Sequence, residues 1–272
     1  MKSILKKILI IVIIVIQCFG CNACGTTMDN REDKKPKKYF TLSFDDGTTE
    51  DEKLIVLLKK YNIPATFCVN TGLMNGEVSI EVAGSWRRMD FVYAKDNRVY
   101  EGFDVISHGY THREFLNLGD ELVKNQIVDD CAKIKELTGI SPKGVAYPGG
   151  TAFYNDNVVY TLLNETDIRF GRDTDDTFGF ALPKNFMAWK PTCSLLDDRL
   201  MELAKEFVES EAEEDMLFYV WDHPWAISAY YAWDKVEEFL AYISERDDIV
   251  YVTNSEFYEL FKDKIPSKGL WD

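Results

Sequence analysis

The chain is short of histidine, of paired cysteine and of basic residues, and each shortage narrows what it can be. Its 272 residues hold only three histidines, His108, His112 and His223. Lys and Arg number 31 against 46 Asp and Glu, a formal net charge of -15. That balance argues against nucleic acid or anionic lipid as the main partner and suits a neutral or cationic substrate. Of six cysteines, Cys18, Cys21 and Cys24 crowd the N-terminus, while Cys68, Cys131 and Cys193 lie far apart. No pair has zinc-ribbon spacing, so neither a disulfide framework nor a zinc ribbon is expected. The last three read as small buried hydrophobes. There is no internal repeat, and no second domain announces itself. The apolar run at residues 8–16 is too short to span a bilayer comfortably.

That run is the right length for a signal-peptide core, and Lys2, Lys6 and Lys7 precede it. Residues 1–21 therefore read as a signal peptide, and export to the cell surface or beyond is expected. Gly20 before Cys21 is similar to a bacterial lipoprotein processing site, with Cys21 as the lipidated residue. Cys18 and Phe19 depart from that pattern, and ordinary secretion or an uncleaved anchor stays open. Such an anchor or signal segment is the chain's only expected contact with membrane. Residues 22–38 are polar and carry Pro36 and a lysine cluster, as a tether does.

The folded part, residues 39–272, opens on Tyr39-Phe40-Thr41-Leu42-Ser43-Phe44-Asp45-Asp46-Gly47. The apolar, β-branched and aromatic run reads as a buried strand ending in two carboxylates and a glycine. Alternation along extended chain points Asp45 and Asp46 different ways, so one can hold a metal while the other serves as a base. By itself the stretch reads more readily as a strand followed by an Asp-Gly turn with both acids in water, and the rest of the chain reverses that balance.

Six further strands are expected, within residues 65–69, 103–107, 144–147, 168–171, 216–221 and 249–252. Between them Leu54, Leu57, Leu58 and Tyr61 recur at helical spacing, as do Val123, Ile127, Cys131 and Ile134. Helices are also expected around residues 158–163, Leu200 to Phe207, Val236 to Ile243 and Phe257 to Phe261. Residues 71–102 read as a long loop or insertion with some helix. Strand and helix alternate about seven times, which predicts an α/β fold: one parallel sheet closed, or nearly closed, into a barrel.

The chemistry-bearing residues sit just after strands. In a βα barrel those positions converge on one face, which would bring together Asp45, Asp46, His108, the Pro148-Gly149-Gly150 turn, Arg172 and His223. One helical turn after the strand would bring His108 and His112, four apart, to one side. Two imidazoles and a carboxylate leave a tetrahedral zinc one open position, as a catalytic site requires. Cobalt or nickel also suits this donor set. Trp225, Tyr230, Tyr231 and Trp233 cluster after His223, as a platform for sugar rings or as ordinary packing.

These motifs resemble the polysaccharide deacetylases with the NodB-homology domain. Thr41-Leu42-Ser43-Phe44-Asp45-Asp46-Gly47 looks like the family's first motif and Ser107-His108-Gly109-Tyr110-Thr111-His112 like its second. Ala146-Tyr147-Pro148-Gly149-Gly150 is similar to the third, and Trp221-Asp222-His223 falls where the last motif's histidine belongs. The resemblance implies a single-domain deformed (β/α) barrel of about seven strands. It implies an exported metal-dependent hydrolase that removes acetyl groups from a glycan of chitooligosaccharide or peptidoglycan type. It makes Asp46, His108 and His112 the metal ligands, Asp45 the base and His223 the acid. It puts Gly149, Tyr147 and Trp221 on the oxyanion and substrate side. Ala146 stands where the third motif often has an arginine paired with the base. Arg172, in a stretch similar to the Ala-Arg-Thr run of a branch lacking that arginine, is expected to replace it. An O-acetyl esterase, or a carbohydrate-binding lipoprotein with a decayed site, is the alternative.

Overall fold

The structure, a computed structural model, describes residues 36–74 and 87–272. The expected signal segment, nearly all of the tether and part of the 71–102 insertion lie outside the described residues.

Strand β1 (Lys38–Asp46) is followed by α1 (Asp51–Lys60), β2 (Thr66–Val69), α2 (Thr71–Met74) and α3 (Phe91–Asp96). Next come β3 (Asp104–Ser107), α4 (Asp120–Thr138), β4 (Gly144–Ala146), α5 (Asp156–Glu165), β5 (Phe170–Arg172) and β6 (Cys193–Ser194). The chain continues through α6 (Leu200–Glu209), β7 (Met216–Asp222), α7 (Pro224–Ala229), α8 (Trp233–Ile243), β8 (Ile249–Tyr251) and α9 (Asn254–Phe261).

All strand pairs are parallel, in the order β5-β4-β3-β2-β1-β7-β6. β1 is the centre. One edge pairs with β7 along most of its length. The other pairs first with β8, at Lys38, Tyr39 and Phe40, and then with β2 from Ser43 onward. Residues 189–194 draw the two ends of the sheet together. Trp189 bridges to Arg172 of β5, while Cys193 and Ser194 pair with β7. The result is the deformed, curled barrel expected, with its helices on the outside. Among the described residues it has eight strands, where about seven are expected. β6 is two residues long and carries no apolar run by which sequence alone would reveal it.

Side-chain parity along the strands sorts the core. Phe40, Leu42 and Phe44 of β1 face outward and pack with Leu54 and Leu58 of α1 and with Phe239 and Leu240 of α8. Tyr39 faces inward with Cys68, Ile106, Ala146, Phe170, Leu217 and Tyr219. The interior is partly polar: Thr41 Oγ1 donates to Asn254 Oδ1 at 2.9 Å, and Ser43 Oγ lies 2.8 Å from Tyr219 Oη. On the opposite side Val145 and Tyr147 pack outward against Val123 and Ile127 of α4 and Val158 and Leu162 of α5. Each strand thus alternates between two buried surfaces, which is why β1 is buried at all nine positions and reads as a nearly continuous apolar run.

Candidate active site and metal centre

Inward parity brings the site together at the C-terminal ends of the strands. Asp45 continues the inward series of β1, His108 follows Ile106, Arg172 follows Phe170, and His223 follows Tyr219 and Trp221. Asp45 is 2% exposed and accepts a hydrogen bond from Arg172, which is wholly buried. The guanidinium also lies 4.6 Å from the Trp221 ring centroid. Asp45 Oδ2 is 3.8 Å from His108 Nε2 and 3.9 Å from His223 Nε2. Burial raises the Asp45 pKa, but Arg172 and then the two imidazoles outweigh it, and the carboxyl lies well below the usual range.

Asp46 does not diverge from Asp45 as extended chain would require. Its φ of +83° ends the strand and turns its carboxylate back toward the same histidines. Oδ1 lies 3.5 Å from His112 Nε2, 3.8 Å from His108 Nε2 and 3.0 Å from Arg88 Nη2. Oδ2 accepts from Trp225 Nε1 at 2.7 Å and is 4.0 Å from His223 Nε2. The two acids therefore share one pocket and differ in their cations: Arg172 for Asp45, Arg88 for Asp46.

His108 and His112 are not on a helical turn. The stretch between them is a loop, with Gly109 at φ +74° and His112 at φ +56°. The left-handed residues fold the loop back, and the imidazole centroids come within 4.7 Å. A Cβ on Gly109 would sit 3.3 Å from Phe115 and Pro148, so the position favours glycine for space as well as for φ. The loop hangs on a buried polar network. Asp130 of α4 accepts from Thr71 N at 2.8 Å through Oδ1 and from Ser107 Oγ at 2.6 Å through Oδ2. Gly109 N donates to Ser107 Oγ at 3.1 Å, and Asn70 Nδ2 donates to Gly109 O at 2.7 Å. Thr111 N donates to Gln126 Oε1 at 2.9 Å.

Asp46, His108 and His112 offer one ligand atom each, all within 4.8 Å of one another. The fit to a metal can be tested on His108. Its Nδ1 lies 2.8 Å from Ala146 O; a carbonyl only accepts, so Nδ1 carries the proton and Nε2 keeps its lone pair. Nε2 is buried and has no hydrogen-bond partner among the described residues. Burial lowers this imidazole to about 4 despite the neighbouring Asp45, so it is neutral at pH 7. A buried neutral imidazole with an unused lone pair, facing a second imidazole and a carboxylate, is the donor set of a divalent ion. His223 is different. Burial disfavours its charge, but Asp222, Asp45 and Asp46 outweigh burial and raise its pKa. It is a quarter exposed and holds a proton more firmly than an ordinary imidazole.

Tyr147 is not brought to the site. It shares outward parity with Val145 and is 1% exposed. Its ring stacks on Tyr154 at 3.8 Å, and its hydroxyl donates to Met187 O at 2.9 Å. Its own N–H donates to Arg172 O. Gly149 lies in the exposed turn beyond, at φ +77°. Trp221 flanks His223, with ring centroids 5.5 Å apart, and its Nε1 donates to Asp176 Oδ1 at 3.2 Å. Of the aromatic cluster, Trp225 meets Asp46, Trp233 Nε1 donates to Ser228 Oγ, and Tyr230 and Tyr231 are exposed. The sequence reading passes over Arg88 and Asp130 as site residues. The basic pair at Arg87 and Arg88 and an acid on the buried side of α4 are the only signals they leave.

The polysaccharide deacetylase family model matches residues 32–170. A peptidoglycan-N-acetylglucosamine deacetylase of Bacillus cereus is 26% identical over 145 residues, 53% of this chain and 48% of that protein. The chain spans less than half the length of the curated relatives it matches. The Xyl-CE4 domain of a multidomain xylanase from the hindgut metagenome of Trinervitermes trinervoides superposes with a TM-score of 0.54 at 18% identity. That match covers 86% of this chain and 95% of the domain. A CE4 family pseudoenzyme from Bacillus anthracis superposes with a TM-score of 0.50 at 15% identity, over 82% of this chain and 66% of that one. With the motif residues gathered in one pocket and the family model covering half its length, the chain belongs to the polysaccharide deacetylase family.

Proposed function

We propose that this chain is an exported, metal-dependent deacetylase that removes N-acetyl groups from an N-acetylglucosamine-containing glycan. One observation carries the reading: a buried, unused imidazole nitrogen on His108 faces Asp46 and His112, beside a carboxylate and an imidazole not needed as ligands. Asp46, His108 and His112 would hold the ion, with zinc first and cobalt or nickel next for this donor set. When bound, the ion supplies Lewis acidity and lowers the pKa of water. Asp45 Oδ2 accepts the proton of the attacking water, while Arg172 orients Asp45 from its other oxygen. His223 gives its Nε2 proton to the departing nitrogen, and Asp222, Asp45 and Asp46, which raise its pKa, favour the protonated form. The Gly149 N–H, in an exposed turn, is the donor proposed for the oxyanion. The presence of all these groups counts against a decayed binding protein.

Acetate release from chitooligosaccharide, peptidoglycan and acetylxylan, with and without chelator, tests the reaction and separates N- from O-acetyl substrates. Asp45→Asn is expected to retain the ion and lose about 10²–10⁴-fold in turnover, as removal of a general base does. Asp46→Asn is expected to lose the ion first and to regain part of its rate in excess metal. The opposite pattern swaps the two roles. No effect of either change on rate or metal content rejects the reading.

A further inference from the structure

We propose that Arg88 is a positioning residue that weakens the hold of Asp46, His108 and His112 on their ion, so that the ion exchanges with the surroundings. The inference rests on reading that triad as a metal site. Arg88 is delivered by backbone pairing, not by chance contact. Thr49 N donates to Arg87 O at 3.0 Å, and Met89 N donates to Gly47 O at 2.7 Å. Thr48 and Arg88 form an antiparallel bridge between them. The residues just after the acidic pair are thus clipped to the segment that carries the guanidinium. The Arg88 side chain is 3% exposed, so its charge acts where solvent screens little.

Its target is the oxygen an ion would use. Asp46 Oδ1 is the atom nearest His112 Nε2 and His108 Nε2, at 3.5 and 3.8 Å, and Arg88 Nη2 is 3.0 Å from the same atom. The other oxygen is held by Trp225 Nε1 at 2.7 Å. A neutral donor already fixes the carboxylate plane, so Arg88 contributes mainly charge. Asp45 is paired to Arg172 and Asp46 to Arg88, so each carboxylate already faces a guanidinium. A divalent ion held there would share its carboxylate with a buried fixed cation. Arg88 makes one contact with the carboxylate rather than a two-pronged fork: its Nε and Nη1 have no partner among the described residues. A lysine ammonium can therefore supply the same charge.

The sign of the effect distinguishes this role from a merely structural one. Losing an ordinary outer-shell partner costs about 10–100-fold in metal affinity. Losing Arg88 should gain affinity. Zinc affinity of the full chain is read by competition with a chromophoric chelator, with cobalt as a second probe. Arg88→Gln is expected to bind about tenfold tighter or more and to release the ion to excess chelator more slowly. Arg88→Lys is expected to match wild type within about threefold. Wild type that binds no ion, or His112→Ala that binds it as well as wild type, overturns the metal-site reading and this inference with it. Wild type that binds, with equal or weaker binding in Arg88→Gln, overturns the inference alone. If Arg88→Gln does not fold, Arg88→Lys carries the test: wild-type affinity supports the charge argument, and a change of about tenfold either way rejects it.

Discussion

At the residue scale, Asp45 and Arg172 form a pair whose cost and use can be separated. Both are nearly or wholly buried. Removing one partner of a buried ion pair typically costs about 3–5 kcal/mol, because the other charge is left without compensation. Arg172→Met is therefore expected to lower stability by about 3 kcal/mol or more and to lower turnover, since Asp45 loses the group that orients it. Arg172→Met combined with Asp45→Asn removes both charges and is expected to recover most of the stability and none of the activity. Urea unfolding and acetate release on the same samples check this. Independent stability losses in the double variant would mean that the pair is not coupled. Arg172 could be singled out from sequence because it follows a strand and Ala146 lacks the expected side chain. Arg88 could not, because only tertiary pairing with residues 47–49 carries it to Asp46. The place of Tyr147 is hidden for a related reason: motif position says that a residue is near a strand end but not which face its parity gives it.

At the element scale, strands deliver the ligands and one helix holds their loop. The alternation that buries β1 on both sides also fixes which strand-end residues point inward, and this much follows from sequence once the strands are placed. The 108–112 loop does not follow. Four-residue spacing suggests a helical turn, whereas left-handed residues and the Asp130 network build a different path to the same convergence. Asp130 has a consequence of its own. Burial raises its pKa to about 6, against the hydrogen bonds from Ser107 and Thr71 that lower it. The folded state then holds the proton more tightly than the unfolded chain. The stabilising contribution is full below the unfolded pKa of about 3.9 and is lost as pH rises through about 6. Between pH 5 and pH 8 the loss is about 1 kcal/mol. Asp130→Asn removes the titration, so its stability relative to chelator-treated wild type is expected to improve by about that amount from pH 5 to pH 8. Urea midpoints at the two pH values are the check, and a difference independent of pH would refute the shift.

At the scale of the whole molecule, strand direction sets where a tether joins. Lys38 opens β1, and Asp45 and Asp46 close it. Nine residues of strand separate the two ends by roughly 30 Å. All the paired strands run parallel to β1, so the candidate site opens on the end of the barrel away from Lys38. The first strand therefore begins at the end of the barrel opposite the candidate site. With 46 acidic against 31 basic residues, the chain gains little from contact with anionic lipid. The proposed anchor is a covalent lipid, and the prediction falls on Cys21. Mass spectrometry of the mature protein is expected to show loss of residues 1–20 and acyl mass on Cys21. Cys21→Ser is expected to move activity from the membrane fraction, either to the medium or to an uncleaved precursor. A new N-terminus without acyl mass, and activity in the medium for both proteins, would establish plain secretion instead. An intact cytosolic chain would contradict export altogether.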